Sequence, residues 1–192
     1  MVRIREIDEK DIPAVQRLIE DSYVPYKELI DGVGIPEYSY EEIRSLASEP
    51  NSDVWVAEEN GEITGMAAGT EFGPSAYHLR MLFVGGDSQH KGVGSVLLER
   101  FEARGAERQH SLYTANYLGW AKWSGQFYEK HGYKEYEPVD EDSNPELKAQ
   151  TDFLKSIGRL NNGDKHFIWK MERLCEDARR RVPALCEKVA SN

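Results

Sequence analysis

The sequence lacks any apolar run of the roughly 18 residues that a membrane-spanning helix needs, so no membrane span is expected. Its first residues, MVRIREIDEKD, lack the apolar stretch of a signal peptide, and a cytoplasmic protein is expected. Cysteine is scarce. The two cysteines, Cys175 and Cys186, both fall at the far end, where a disulfide would staple no core, so a reduced state is expected. The five histidines do not cluster, no metal-ligand spacing is present, and no metal is expected. Positive charge is in deficit: 24 Lys and Arg stand against 34 Asp and Glu, a net charge of −10. That balance argues against a nucleic-acid backbone as partner. It suits a cationic acceptor such as an amine, or solubility alone. Internal repeats and low-complexity linkers are also absent.

What is present is enough for a folded domain. The chain has 192 residues, of which 40% are hydrophobic and 30% charged. VRIREI (2–7) alternates as a half-buried strand does. In the following segment Ile12, Val15, Leu18 and Ile19 share one helical face, with Asp8 or Asp11 as cap and Pro13 in the first turn. Residues 38–50 read as a second helix, with Ser39 and Glu42 spaced as a capping box and Pro50 as the stop. Strands follow at 53–60 and 62–72, joined by Asn60-Gly61, and at 76–84, with Gly65 marking a close approach. A helix spans 92–105 and ends near Gly105. A strand at 111–117, a helix at 119–132 and strands at 133–139 and 165–174 complete the order. Residues 140–163 form an insertion with an acidic opening and a helix carrying Leu147, Phe153, Leu154 and Ile157. Residues 173–192 read as a helical tail. The fold class is mixed α+β: a mostly antiparallel central sheet of about seven strands flanked by helices.

The segment VGGDSQHKGVGSVLLERFEARG (84–105) carries the chemistry. A strand enters a glycine-rich turn, and an amphipathic helix leaves it. The first amides of a helix have no internal acceptor and sit at the positive end of its dipole. Gly92 and Gly94 would let a ligand approach the backbone, and Lys91 adds charge, so the turn reads as a pyrophosphate cradle. It does not supply the G-x-x-x-x-G-K-[ST] of a P-loop, and it lacks the third glycine of the dinucleotide fingerprint.

The same residues resemble the acetyl-CoA loop of the GNAT superfamily, the Gcn5-related N-acetyltransferases. Gln89, Gly92 and Gly94 match its [Q/R]-x-x-G-x-[G/A] signature. FYEKHGY (127–133) resembles the family's second landmark, and the element order is similar. The likeness covers residues 2–138, with 164–172 as the final strand. Gly86 stands where the family usually has proline, and Ala121-Lys122 where it commonly has asparagine.

The resemblance implies one GNAT-like domain over residues 1–172 that moves an acetyl group from acetyl-CoA, its co-substrate, to a primary amine by direct attack in a ternary complex. The amides of Gln89, His90, Lys91, Gly92, Val93, Gly94 and Ser95 would hold the CoA pyrophosphate. The backbone of Leu82, Phe83 and Val84 would pair with the pantetheine, with Asn116 a further cofactor contact. Tyr128 occupies the place of the acid that protonates the thiolate, a role open to a phenol. The base stays open among His78, which shares a strand face with Arg80, Leu82 and Val84, Glu71, and a water relay. Tyr117, Trp120 and Trp123 either line an acceptor cleft or pack in the core. The alternative is a catalytically silent CoA-binding module. A homodimer through an edge strand near the C-terminus stays open.

Overall fold

The structure is a computed structural model and describes residues 2–28, 37–160 and 165–171. The cysteines and the expected tail at 173–192 lie outside these residues. Seven strands form one mixed sheet: β1 (Arg3–Glu6), β2 (Ser52–Glu59), β3 (Glu62–Phe72), β4 (Ala76–Val84), β5 (Leu112–Leu118), β6 (Lys134–Glu135) and β7 (Lys165–Met171). Their order is β1-β2-β3-β4-β5-β7-β6. Among the described residues five α-helices flank it: α1 (Ile12–Ser22), α2 (Tyr40–Ser48), α3 (Val93–Glu107), α4 (Lys122–Lys130) and α5 (Pro145–Ser156). Among the described residues no helix is long and apolar enough to cross a membrane. The chain divides into two compact units, one drawn from Met1–Gly69 and Met81–Phe101, the other from Thr70–Arg80 and Glu102–Asn192.

In the first unit, short polar signals set the helix starts. Ser39 and Glu42 cap α2 reciprocally, the Ser39 amide donating to Glu42 at 2.7 Å and the Glu42 amide to Ser39 at 3.2 Å. Asp8 caps a 3-10 turn at Glu9–Asp11 that leads into α1. Asp11 is buried there and accepts from Arg5 at 2.6 Å, which holds its carboxyl below the usual range. The apolar stripe Ile12, Val15, Leu18 and Ile19 meets Ile43 and Leu46 of α2 over Val54, Val56, Met66, Ala68 and Met81 of the sheet. Burial of such aliphatic side chains contributes roughly 1.5–3 kcal/mol each. Asn60 and Gly61, at φ 54 and 84, turn β2 into β3 as the Asn-Gly pair predicts.

In the second unit, β5 pairs with β4 in parallel over Leu112–Ala115 and with β7 antiparallel over its whole length. The expected stop at Gly105 is corrected. α3 continues to Glu107, and the residue that turns the chain in the left-handed region is Gln109, at φ 66. Gly105 serves packing instead: a Cβ there would come within 2.5 Å of the Tyr113 ring and 2.9 Å of the Tyr77 ring. α4 starts three residues later than expected and ends as expected at Gly132, φ 86, with the Tyr133 amide donating back to Tyr128 at 3.1 Å. The expected strand 133–139 shrinks to β6, because Pro138 opens a 3-10 turn over Pro138–Ser143. In the insertion, α5 buries Leu147 and Leu154 against Ala76, Leu112, Phe167 and Trp169, while Ile157 is exposed.

Candidate functional site

The first unit holds the glycine-rich turn. The end of β4 is fixed from both sides. Phe83 turns into the core against the rings of Tyr23 and Tyr38, at 6.1 and 5.9 Å, and Leu82 and Val84 take the opposite face. The Gly85 amide donates to Thr64 at 3.1 Å and the Gly86 amide to the Asp21 carboxylate at 2.8 Å. A Cβ on Gly85 would sit 3.0 Å from Leu18, and one on Gly86 3.2 Å from the Asp21 carbonyl. The turn therefore lies against the C-terminal end of α1 at a distance that glycine best tolerates.

Gln89 has a role its motif position did not disclose. Its Nε2 donates to the carbonyls of Ser22 at 2.8 Å and Val84 at 3.1 Å, and its Oε1 accepts from the Tyr26 hydroxyl at 2.7 Å. The side chain thus ties the entry of the turn to the segment after α1. The Gln89 amide donates to Gly86 at 3.4 Å, which closes the 3-10 turn at Gly86–Ser88. His90 and Gly92, at φ 61 and 89, then curl the chain through the left-handed region. The space a Cβ would fill at Gly92 is open. A bond from the Val96 amide to the Gly92 carbonyl, at 3.1 Å, closes the first turn of α3, so the amides of Val93 and Gly94 lie ahead of it at the helix mouth. Lys91 is exposed, and Ser95 follows in the first turn. Val93 and Leu97 anchor that turn: a Cβ on Gly65 would come within 2.9 Å of both, which confirms the close approach expected there.

The second unit holds the other candidates, and it separates the two side-chain bases. His78 pairs in register with Thr114, and its Nδ1 lies 2.9 Å from the Thr114 hydroxyl. Its ring is 5.7 Å from Phe72. Burial first, then the positive charges of Arg80, Arg159 and Lys165, pull its pKa down to about 4. The imidazole is therefore neutral at pH 7. Glu71 precedes Phe72 on β3 and faces the other way. It is bound by Arg108 at 3.3 Å and approached by His110 at 3.4 Å, and His110 stacks on Tyr77. His78 and Glu71 thus lie on opposite faces of the sheet. Asn116 shares the His78 face, opposite Phe167 on β7.

Tyr128 lies on α4, 6% exposed, edge-on to Phe127 and Tyr133 at 5.2 and 5.6 Å. Burial raises its phenol well above the ordinary range, which keeps the proton on at neutral pH. Trp120 and Trp123 meet edge to face at 5.7 Å, both partly exposed, and Tyr117 packs against His166 at 5.0 Å. Three of the four carboxylates in the acidic opening of the insertion are engaged internally, and Asp142 is exposed. Asp140 accepts from the Glu137 amide and Trp169, Glu141 from Tyr136, Thr151 and Lys155, and Glu146 from Ser111. Glu141 is held at a pKa of about 2 by these donors, Lys155 first. Among the described residues no group of three or more His, Cys, Asp or Glu is placed to hold a metal.

No curated protein matches the sequence. Solved structures share its fold at low identity. PaiA N-acetyltransferase from Thermoplasma acidophilum, crystallised with coenzyme A, superposes with a TM-score of 0.69 at 15% identity, over 90% of this chain and 99% of that one. A GNAT-family acetyltransferase from Staphylococcus aureus Mu50 gives 0.68 at 14%, over 90% and 100%. N-acetylglutamate synthase from Neisseria gonorrhoeae, complexed with coenzyme A and N-acetyl-glutamate, gives 0.62 at 24%, over 90% of this chain and 36% of that one. The family model described as acetyltransferase (GNAT) domain matches residues 50–135, which include the turn, the mouth of α3 and Tyr128. Over those residues the chain matches the GNAT acetyltransferase domain, and its seven-stranded fold is the one shared by the GNAT acetyltransferases it superposes on.

Proposed function

We propose that the protein is an N-acetyltransferase that moves an acetyl group from acetyl-CoA to a primary amine by direct attack within a ternary complex. One observation carries this reading. In a GNAT domain, a turn bent through the left-handed region at His90 and Gly92 brings the amides of Val93 and Gly94 to the mouth of α3, with open space over Gly92. Such a mouth suits a diphosphate, which gains from the amides and from the helix dipole together. The Gln89 latch supports the reading by holding the turn in shape before ligand arrives. Two proteins with this fold were crystallised with coenzyme A.

In the proposed reaction the backbone of Leu82–Val84 pairs with the pantetheine arm. The neutral amine nitrogen attacks the thioester carbonyl, whose oxygen is polarised by a strand amide. The C–S bond breaks, the thiolate gains a proton, and the nitrogen loses one. Tyr128, kept protonated by burial, is the group assigned to the thiolate. The amine's proton leaves through water or neutral His78. The ion pair of Glu71 with Arg108 favours a structural role for Glu71 over the base.

Calorimetric titration with acetyl-CoA, followed by thiol release over a panel of primary amines, tests this reading. Saturable binding with amine-dependent thiol release is expected. Binding without turnover across the panel would identify a silent CoA-binding module instead, and absence of binding would reduce the loop to a plain turn.

A further inference from the structure

The second unit carries an electropositive face in a chain of net charge −10. Residues paired directly in register share a sheet face. His78 pairs with Thr114, Asn116 with Phe167, and Leu118 with Lys165, so His78, Thr114, Asn116 and Lys165 share one face. Arg80, two residues beyond His78, lies on it as well. α5 covers part of that face, with Phe153 edge-on to Phe72 at 5.5 Å and the Gln150 Nε2 donating to the Phe72 carbonyl at 2.8 Å.

The end of α5 delivers one more cation. Gly158 turns at φ 67, the Arg159 amide donates back to Leu154 at 2.8 Å, and Leu160 is buried. These contacts fix the backbone at Arg159, whose guanidinium lies 5.7 Å over the Phe72 ring, itself 5.7 Å from His78. Arg159 and Lys165 are exposed, and among the described residues neither has a carboxylate within ion-pairing distance. Nearby cations of the same unit are spent: Arg108 on Glu71, Lys155 on Glu141, Lys170 on Glu102. The charges that shift His78 are all positive.

We infer that the acceptor amine carries a fixed anion, a carboxylate or a phosphate, and that Arg159 and Lys165 receive it beside Phe72 and His78. The inference rests on the acetyltransferase reading for the word acceptor, while the anion site stands on its own geometry. A guanidinium presents paired donors to either anion, and Lys165 adds a point charge. Asp140, Glu141 and Glu146 of the insertion are bound to donors of their own, which leaves Asp142 alone of that acidic segment to draw a purely cationic amine.

Two arms test the site. In the first, NMR follows the His78 ring of the full chain during titration with inorganic phosphate. A saturable shift is expected, weakened at least five-fold in Arg159→Gln and in Lys165→Gln. No saturable shift, or one equal in both variants, overturns the site. In the second, thiol release compares lysine with cadaverine and phosphoethanolamine with ethanolamine. The anionic member of at least one pair is expected to lead by ten-fold or more in kcat/KM, and which pair does so identifies carboxylate or phosphate. Arg159→Gln should remove most of that lead through KM and leave acetyl-CoA affinity unchanged. A lead for the neutral or cationic members overturns the inference. A saturable first arm with no thiol release from any amine overturns the acetyltransferase reading and leaves the anion site standing.

Discussion

Replacing Gln89 by alanine would remove three hydrogen bonds at once: to the carbonyls of Ser22 and Val84 and from the Tyr26 hydroxyl. Each such bond contributes about 0.5–1.5 kcal/mol net. Water replaces part of the loss, because the side chain is only partly buried, so about 2 kcal/mol of loop order is at stake. That order must then be recovered from binding energy when the ligand seats. At about 1.4 kcal/mol per tenfold, acetyl-CoA affinity should fall by roughly 30-fold. Gln89→Glu sharpens the test. It keeps the shape, loses the donor and turns a carboxylate toward two carbonyls, so its loss should be at least as large. Isothermal titration of wild type and both variants reads the effect, and circular dichroism checks that the fold persists. Affinities within two-fold of wild type in both variants would refute the idea that this side chain preorganises the turn.

Three further outcomes are expected. Gly65→Ala should lower stability by about 1–3 kcal/mol in urea unfolding, because the new methyl meets Leu97 and Val93 at 2.9 Å; an unchanged midpoint would show that α3 yields freely there. Tyr128→Phe should reduce turnover by about 10²–10⁴-fold with acetyl-CoA affinity preserved, and full turnover would remove Tyr128 from the reaction. His78 has a folded pKa near 4 against an ordinary 6.5, so between those values the unfolded chain binds the extra proton and stability falls as pH falls. The loss should reach about 2–3 kcal/mol by pH 4. His78→Asn should flatten that part of the stability profile, and an equal slope in both proteins would contradict the burial argument.

Local chemistry was the legible part of the sequence. Ser39 and Glu42, Asn60-Gly61 and the stop at Gly132 act between near neighbours, and the structure bears each out. The glycine-rich turn was legible as a motif, because amide geometry at a helix start follows from the backbone alone. Gly105 was misread because a helix-ending glycine and a glycine that admits two tyrosine rings look alike in sequence. The reach of Gln89 to Ser22, and the gathering of Arg159 and Lys165 on the His78 face, depend on partners dozens of residues away. Strand register decides such meetings, and periodicity does not reveal register. The opposite facing of His78 and Glu71 was within reach, since period two on β3 and β4 gives it once the strands are aligned.

The central claim is that backbone amides at the mouth of α3 hold the diphosphate of coenzyme A. Amide proton–nitrogen spectra recorded through a coenzyme A titration test it most directly. The account predicts saturable shifts largest at residues 90–95, with downfield movement at Val93 and Gly94. Saturation with those amides unmoved and the largest shifts elsewhere would contradict it.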